Sequence, residues 1–388
     1  MKRTGLIAAG FLLAGCAGTG NSPLDNQPGT RFNSAGASGG TATSTQELKP
    51  AAATDPVAHD ADDPAIWVNR LNPTQSLILG TDKVESVGAL YAFNLEGKTV
   101  QKIEGLDRPN NVDVGYDLSL GAKTVDFAIL TERKAGKLRI YSIDNETGKL
   151  EDISGNTSIL GEETGSAKEP MGIAVYRRED GAQFAIVAPK TGGKTNYLAQ
   201  YRLVPNNGRI DLKLVRRFGA FSGVDKDGNG EIEAICVDQK AGVVYYSDEL
   251  AGIRKYWADP ERPGADKELA TFGTEGYKAD REGLALYETS PQDGFLLSVD
   301  QVEKKSRVFV YTRGGANESD QRNTLVAAFE TPADTTDGME ATSRDLGVRY
   351  PQGILVMMDS GNKRFLIFDW RDIAPRLMKR QTSGAANR

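Results

Sequence analysis

Acidic side chains recur in this chain of 388 residues wherever a short apolar run begins or ends. Carboxylate oxygens are the ligands that hard cations such as calcium prefer, and crowded carboxylates repel one another unless a cation neutralises them. A single Asp or Glu at a strand end is usually a solvated turn residue, but repetition at the same point predicts a calcium cluster. The residues at the starts are Asp62, Asp63, Asp113, Glu169, Glu231, Glu233, Asp280, Glu282, Asp337 and Glu340, and those at the ends are Asp82, Glu132, Asp248, Glu249, Asp300 and Asp359.

Three cations, Lys83, Arg133 and Lys190, follow the ends of equivalent apolar runs. One Lys or Arg at such a position is usually a charge-balancing surface residue. Three of them beside a metal cluster indicate a site for an oxyanion, most naturally phosphate, because ammonium and guanidinium groups form charge-assisted hydrogen bonds with it.

Six segments of the chain share one plan, in which a polar start leads into a short strand, a turn and a second apolar strand. They begin at Asp62, Asn110, Glu169, Glu231, Asp280 and Asp337, between 48 and 62 residues apart. Strand-rich repeats of this length are typical of a β-propeller, so we predict an all-β, six-bladed propeller. The sixth repeat lacks a fourth strand, and we expect residues 50–58 to supply it and close the ring. In an antiparallel sheet the start of the first strand lies beside the end of the second strand. The charged residues at strand starts and those at strand ends would therefore surround one mouth of the central channel.

The segment DKDGNG, from Asp225 to Gly230, begins like the calcium-binding loop of an EF-hand. That loop needs a bidentate Glu at its twelfth position and a helix on each side. The twelfth position here is Cys236, a poor ligand for a hard cation, and the residues after Gly230 alternate with the period of a strand. The pattern excludes an EF-hand and leaves two interpretations, a peripheral calcium site or a polar turn.

The N-terminal sequence MKRTGLIAAGFLLAGC predicts export, because a basic pair precedes an apolar run that is too short to span a membrane. Its ending, LAGC, is similar to the bacterial lipobox and predicts lipidation of Cys16, with ordinary signal cleavage near Ala17 as the alternative. We expect a signal peptide over 1–15, a disordered tether over 16–49, the propeller over 50–375 and a tail over 376–388. The expected location is the cell envelope, at the outer membrane or cell surface of a Gram-negative cell, or secretion otherwise.

Composition limits the partners. The net charge is −6 and there are no basic runs, which argues against nucleic acid. Apart from Cys16 the only cysteine is Cys236, which excludes an internal disulfide. We expect a monomer that touches a membrane only through its lipid anchor.

The segments DADDPAIWVN from Asp60, NNVD from Asn110, EIEAI from Glu231, REGLALY from Arg281, TDG from Thr336 and the strand GALYAFNLEGK resemble the β-propeller phytases. The resemblance runs from about residue 50 to residue 370. It implies a six-bladed propeller that uses several calcium ions to hydrolyse inositol hexakisphosphate (phytate), bound as a calcium complex. One difference is Met171, at a position where some members carry a tyrosine. The resemblance implies that Lys83, Arg133 and Lys190 bind phosphate, and that Asp63, Asn111, Asp113, Glu233, Glu249, Asp280, Glu282 and Asp337 lie at or near calcium ligands; we add Glu169 and Asp359 from their positions in the repeats.

Missing motifs narrow the chemistry. No RHG motif surrounds His59, no Cys-x5-Arg pattern follows Cys236, and no GxSxG elbow occurs within the predicted propeller, residues 50–375. A phosphatase built from the remaining residues needs metal-activated water, and Glu249 is our candidate for the acid that protonates the leaving oxygen. Two other functions remain open, a calcium-dependent lactonase or esterase and a non-catalytic cell-surface binding propeller. The three rim cations argue against both.

Overall fold

The computed structural model describes residues 48–226, 228–314 and 321–378, all within the unit that spans residues 37–388. In these residues the chain forms 24 strands arranged in six four-stranded antiparallel sheets. The first five sheets, or blades, each use four consecutive strands. Blade 1 contains β2 Ala61–Trp67, β3 Leu77–Asp82, β4 Gly88–Phe93 and β5 Thr99–Leu106; blade 2 contains β6 Pro109–Leu120, β7 Lys123–Glu132, β8 Lys137–Ile143 and β9 Leu150–Asp152; blade 3 contains β10 Pro170–Arg177, β11 Gln183–Pro189, β12 Thr195–Asn206 and β13 Arg209–Ala220. Blade 4 contains β14 Ile235–Asp238, β15 Val243–Asp248, β16 Gly252–Trp257 and β17 Ala270–Phe272; blade 5 contains β18 Arg281–Glu288, β19 Gly294–Asp300, β20 Arg307–Thr312 and β21 Leu325–Glu330.

The sixth blade combines both ends of the described chain. It contains β22 Met339–Thr342, β23 Ile354–Asp359, β24 Arg364–Asp369 and, as its outermost strand, β1 Ala52–Ala53. Strand β1 runs antiparallel to β24, with Ala52 opposite Ile367 and Ala53 opposite Leu366. The predicted segment 50–58 therefore contains the fourth strand of this sheet.

The first strands of the blades line the centre of a six-bladed β-propeller. They contact one another in the cyclic order β2, β6, β10, β14, β18, β22 and back to β2. The fold class predicted from the repeats is therefore confirmed.

Hydrophobic clusters fill the spaces between neighbouring blades. Successive side chains of a strand point to opposite faces of its sheet, so one strand contributes to the clusters on both sides of its blade. On β3 the consecutive residues Ile78 and Leu79 are both fully buried, yet Ile78 packs against blade 6 and Leu79 packs against blade 2. Each such side chain contributes about 1.5–3 kcal/mol when it is buried. Because apolar residues serve both faces of these strands, the sequence shows continuous apolar runs rather than a single alternating face.

Two predicted boundaries were wrong. Leu48 is fully buried in the cluster between blades 5 and 6, so the fold includes a residue that we had placed in the tether. At the other end the helix α1, Trp370–Met378, continues past the predicted limit at residue 375, and Leu377 packs against the same cluster.

Short 3-10 helices lie at Pro73–Gln75, Gly165–Lys168 and Ser360–Asn362. Within the described residues, no helix has the length and apolar character needed to cross a membrane.

Candidate functional site

One backbone hydrogen bond marks equivalent positions in all six blades. The residue that follows each second strand donates its N–H to a carbonyl oxygen just before the first strand of the same blade, at 2.7–3.4 Å. We call these the exit residues. They are Lys83, Arg133, Lys190, Glu249, Gln301 and Ser360. The three predicted rim cations therefore occupy equivalent positions, which Glu249 shares.

The acidic residue just before an exit residue has a structural role. Asp300 accepts hydrogen bonds from the backbone N–H groups of Lys278 and Ala279 at 3.0 and 2.8 Å, and Arg307 Nε lies 2.9 Å from its Oδ2. Such a carboxylate ties the loop before the blade to the third strand. The same two kinds of partner, an arginine early in the third strand and a backbone N–H before the blade, hold Asp248, Glu132 and Asp359. The corresponding residue of blade 1, Asp82, accepts backbone N–H groups from the loop before that blade.

Asp359 therefore differs from what we expected of a metal ligand. Its Oδ1 accepts the N–H of Asp334 at 3.2 Å, and its Oδ2 accepts bonds from Asn362 Nδ2 and Arg364 Nε at 2.9 and 3.1 Å. These partners satisfy both oxygens, so the carboxylate holds the third strand of blade 6 to the loop before the blade. The structure does not support its assignment as a metal ligand.

A β-bulge interrupts the register at the start of four first strands. In blade 1, Ala61 lies opposite Asp82 and Pro64 lies opposite Gly80, so that Asp62 and Asp63 together oppose one residue. Bulges of this kind re-aim side chains and are common beside active sites. The same register defines six inner-ring residues, which are Asp62, Asn110, Met171, Glu233, Glu282 and Asp337.

The inner ring and the exit residues contact each other. Lys83 Nζ pairs with Asp62 Oδ1 and lies 3.2 Å from Asp337 Oδ2, while Gln301 Nε2 donates to Asp337 Oδ1. Glu282 is 7% exposed, and its Oε2 is buried without a hydrogen-bond partner among the described residues. One ammonium group thus offsets part of a buried cluster of negative charge.

Burial dominates the electrostatics of these carboxyls. It raises the pKa of Asp62, Glu282 and Asp337 above the usual range, and neighbouring carboxylates add to the shift. The pKa of Glu249 rises to about 8 because the side chain is buried and lies near Glu233. Carboxyls that share a site in this way keep their protons unless a cation compensates.

A second set of carboxyls lies next to the inner ring and links the first strands. Asp63 Oδ2 accepts the N–H of Val112 in blade 2 at 2.9 Å, and Asp113 Oδ2 accepts the N–H of Val175 in blade 3 at 2.7 Å. Asn111 is buried beside them. Burial raises the pKa of Asp113 to about 6 and that of Asp63 further above its usual range.

The three cations are close enough to influence one another. Burial and the nearby Arg133 lower the pKa of Lys190, whereas Glu233 and Glu249 oppose the shift. Arg133 Nε lies 2.9 Å from Glu169 Oε2, and Lys134 Nζ lies 2.8 Å from Glu169 Oε1. Both oxygens of Glu169 are therefore paired with cations, which is not what we expected of a metal ligand.

The donor set around the inner ring suits a hard cation. Apart from the thioether of Met171, its polar side chains offer carboxylate and amide oxygens, and the buried Glu282 Oε2 has no hydrogen-bond partner among the described residues. Among residues 48–226, 228–314 and 321–378, no three His, Cys, Asp or Glu side chains are already arranged around a common point. Lys83 instead lies between Asp62 and Asp337.

The structure thus places Lys83, Lys190, Glu233 and Glu249 near one another, with Asp280 close enough to raise the pKa of Glu249. Sequence reasoning missed Gln301, which occupies an exit position. A signal was present, since the pairs Asp82–Lys83, Glu132–Arg133 and Asp248–Glu249 align with Asp300–Gln301.

Two sequence predictions fall wholly or partly outside the described residues. Cys16 lies outside them, and so does Asp227 in the DKDGNG segment. Of that segment, Asp225 Oδ1 accepts the N–H of Asn229 at 3.0 Å, and Asp225 Oδ2 accepts from Asn229 Nδ2 at 3.2 Å. Both earlier interpretations of this segment remain open. His59 is partly exposed and lies 3.0 Å from Asp82.

Comparisons with known proteins agree on one family. The sequence model described as Phytase matches residues 31–381. The 3-phytase of Bacillus subtilis (strain 168) is 30% identical over 346 residues, which cover 84% of this chain and 84% of that protein.

Solved structures are similar in fold alone. The periplasmic gluconolactonase of Pseudomonas aeruginosa gives a TM-score of 0.50 at 11% identity, covering 81% of this chain and 82% of that one. The α-L-arabinanase of Penicillium chrysogenum gives a TM-score of 0.50 at 10% identity, covering 84% of this chain and 98% of that one.

Proposed function

The chain belongs to the phytase family, and we propose that it is a 3-phytase that releases phosphate from inositol hexakisphosphate with the help of calcium ions. The observation that carries this proposal is that acidic inner-ring residues and cationic exit residues lie together at one mouth of the channel. Four of the six inner-ring residues are acidic, and three of the six exit residues that surround them are cationic. A phosphatase without a protein nucleophile requires that combination of metal ligands and oxyanion ligands.

The exit cations hold the substrate. Lys83, Arg133 and Lys190 present ammonium and guanidinium groups in a mouth where they are largely buried, so their contacts with phosphate oxygens are weakly screened. Each of them is paired with a carboxylate, and an arriving phosphate must replace that partner.

Calcium would be held by the carboxylates of the inner ring and its neighbours. We propose Asp62, Glu233, Glu282 and Asp337 for the inner ring, Asp280 beside it, and Asp63, Asn111 and Asp113 for the linking set. Calcium bound there would neutralise phosphate charge and supply an activated water for the hydrolysis. It also reverses the sign of an otherwise acidic mouth, which lets a polyanion approach a chain whose net charge is −6.

Glu249 is our candidate for the acid. Its Oε2 accepts the backbone N–H of Glu231 at 2.9 Å, which leaves Oε1 to carry the proton. Burial and Glu233 raise its pKa to about 8 in the metal-free protein, which favours the protonated form that a general acid needs. Transfer of that proton to the leaving inositol oxygen would avoid the release of a strongly basic alkoxide.

The deciding experiment measures phosphate release from inositol hexakisphosphate with calcium, with excess chelator after dialysis, and after calcium is restored. We expect activity, loss of activity and recovery, with circular dichroism to verify that the fold survives each step. Full activity in chelator would contradict the metal mechanism. No hydrolysis under any condition would favour a binding propeller instead.

We further propose that the protein is an exported lipoprotein of the cell envelope. The support is the N-terminal sequence, in which a basic pair and a short apolar run lead to LAGC and Cys16. Residues 17–47, which are rich in Gly, Ser and Thr, would then separate the lipid attachment site from the propeller in the sequence.

A further inference from the structure

The described part of the chain enters the propeller at the end opposite the mouth. The mouth lies where first strands start and second strands end, and β24 starts just after Ser360, the exit residue of blade 6. Because β1 runs antiparallel to β24, it starts where β24 ends, at the other end of the sheet. We call that end of the propeller the distal face. Helix α1 begins there too, with the N–H of Trp370 donating to the carbonyl oxygen of Gly353 at 3.2 Å.

The two most exposed large apolar side chains of the described residues both lie on the distal face. Val348 is 97% exposed and Leu71 is 73% exposed, whereas the other exposed large apolar side chains range from 37% to 56%. Val348 belongs to the loop between β22 and β23 of blade 6, and Leu71 belongs to the loop between β2 and β3 of blade 1. A loop that joins a first strand to a second strand lies opposite the mouth. One exposed apolar residue needs no explanation, but two such residues on one face indicate a contact surface.

The two loops touch each other. Strands β2 and β22 are neighbours at the closure of the ring. A Cβ atom placed on Gly347 would lie only 2.5 Å from Cγ2 of Thr74, so the loop of blade 6 packs directly against the loop of blade 1. The hydroxyl of Tyr350 also donates to the carbonyl oxygen of Leu95 in blade 1, at 3.5 Å. The two exposed apolar side chains therefore belong to one surface that spans blades 6 and 1.

Exposed arginines flank both apolar side chains. Arg70 precedes Leu71 and Arg349 follows Val348, and although both arginines pair with acidic neighbours, 47% and 43% of their side chains remain exposed. Arg344, in the same loop as Val348, is exposed and makes no ion pair with any residue that the structure describes. Apolar side chains beside guanidinium groups suit the boundary of a phospholipid bilayer, where acyl chains meet headgroup phosphates.

The length of the chain before the propeller makes such a contact possible. Cys16, the proposed site of lipid attachment, lies 32 residues before Leu48, and a segment of that length spans at most about 110 Å. An anchor of this length keeps the propeller near the membrane without selecting the face that meets it. The mouth is lined with carboxylates, which anionic headgroups repel when no metal is bound. The distal face offers apolar and cationic groups instead.

We propose that the distal face docks onto a phospholipid bilayer through Leu71 and Val348, with the flanking arginines at the level of the headgroup phosphates. The mouth then points away from the membrane, toward ligands that arrive from the aqueous phase. This inference extends the proposed lipid anchor and does not depend on what the mouth hydrolyses.

The first test measures binding to vesicles without the anchor. The chain from residue 16 onward, produced without its signal sequence and therefore unlipidated, is sedimented with vesicles of phosphatidylethanolamine and phosphatidylglycerol. Excess chelator prevents calcium from bridging the mouth to the lipid. The double variant Leu71→Ser/Val348→Ser should bind about tenfold or more weakly than the wild type, because two inserted apolar side chains are lost. The matched control Leu214→Ser/Val224→Ser, at exposed positions away from the distal face, should bind like the wild type. Val348→Trp should bind more tightly, since tryptophan favours the membrane interface.

The second test measures orientation on the lipidated protein in the same vesicles. Backbone hydrogen exchange in residues 70–75 and 344–350 should be slower than in the unlipidated chain in solution, and this protection should be lost in Leu71→Ser/Val348→Ser. Exchange around the mouth should not change. The inference is overturned if the two double variants bind vesicles equally, or if lipid protects the mouth instead of these loops. Protection of the same loops in vesicle-free protein that sediments as a dimer would assign the distal face to a second copy of the chain and would overturn it too.

Discussion

The Nζ atom of Lys83 lies 3.2 Å from Oδ2 of Asp337, a residue 254 positions away in the chain. Lys83 follows the second strand of blade 1, and Asp337 precedes the first strand of blade 6, so this ion pair crosses the interface at which the ring closes. Lys83 also pairs with Asp62. One ammonium therefore serves as internal counter-ion for two inner-ring carboxyls, at the place where we propose that calcium and phosphate bind.

Stability of the metal-free protein should fall as pH rises. The pKa of Asp113 rises to about 6 and that of Glu249 to about 8, mainly because both are buried. The folded chain therefore holds these protons more tightly than the unfolded chain does, and the resulting stability is full below about pH 4 and lost as pH approaches about 8. Calorimetry in chelator should show Tm decreasing across this window, with calcium raising Tm most at its upper end. A Tm that rises with pH in chelator would contradict the electrostatic account.

Asp359→Asn should cost stability rather than catalysis. The variant weakens bonds with Arg364 and Asn362 that hold the start of the third strand of blade 6, and we expect the free energy of unfolding to drop by about 1–3 kcal/mol. The value of kcat/KM and its calcium dependence should stay near those of the wild type. Asp372→Asn, on the exposed face of α1, is the matched control and should change neither quantity. A shifted calcium dependence in Asp359→Asn would restore this residue to the metal site.

The contrast between Asp359 and Asp337 also shows how far sequence reasoning reached. The repeat spacing was enough for six blades, and the recurring charge was enough for one mouth. The sequence pattern could not separate a clamping carboxylate such as Asp359 from an inner-ring carboxylate such as Asp337. A shift of one residue in strand register changes the partner of every side chain, and the bulges that set this register have no recognisable sequence pattern. Leu48 was missed because a single buried apolar residue after a polar tract resembles the tract around it.

Glu249→Gln should distinguish a general acid from a metal ligand. A general acid matters when the leaving group is a basic alkoxide, as in inositol hexakisphosphate, and matters little for p-nitrophenyl phosphate, whose leaving group needs no proton. We expect kcat to fall about 10²–10⁴-fold on the first substrate and far less on the second. Equal losses on both, recovered by raising the calcium concentration, would assign Glu249 as a ligand instead.

Cys16→Ser should release the protein from the membrane fraction or leave an uncleaved precursor. The thiol is the proposed site of lipid attachment, and no other residue of the N-terminal segment can take its place. Activity of the propeller should not change, since Cys16 lies 32 residues before Leu48, the first residue that the structure describes. Fractionation and phosphate release from the same cells test both statements. A wild type found entirely in the soluble fraction would refute the lipoprotein proposal.

Alanine variants of Lys83, Arg133 and Lys190 should reveal which phosphate each cation holds. A cation that contacts the reacting phosphate contributes about 2–4 kcal/mol to transition-state stabilisation, and its loss should lower kcat on inositol hexakisphosphate and on a monoester alike. A cation that holds a neighbouring phosphate should chiefly raise KM, and only for the larger substrate. Arg133→Lys should restore little, because an ammonium group cannot reproduce the two-pronged contact of guanidinium.

Lys83→Ala carries an additional signature that separates substrate binding from structure. Its ammonium group is paired with the buried Asp62 and the partly buried Asp337, so its removal leaves both carboxyls without this counter-ion, and we expect a lower Tm in chelator than for Lys190→Ala. Calcium should restore Tm in Lys83→Ala, because the metal replaces the missing charge, but should not restore kcat/KM if Lys83 also holds phosphate. Recovery of both by calcium would make Lys83 a counter-ion only. If all three alanine variants match the wild type on both substrates, the exit cations do not bind phosphate and the mouth must recognise its ligand by other residues.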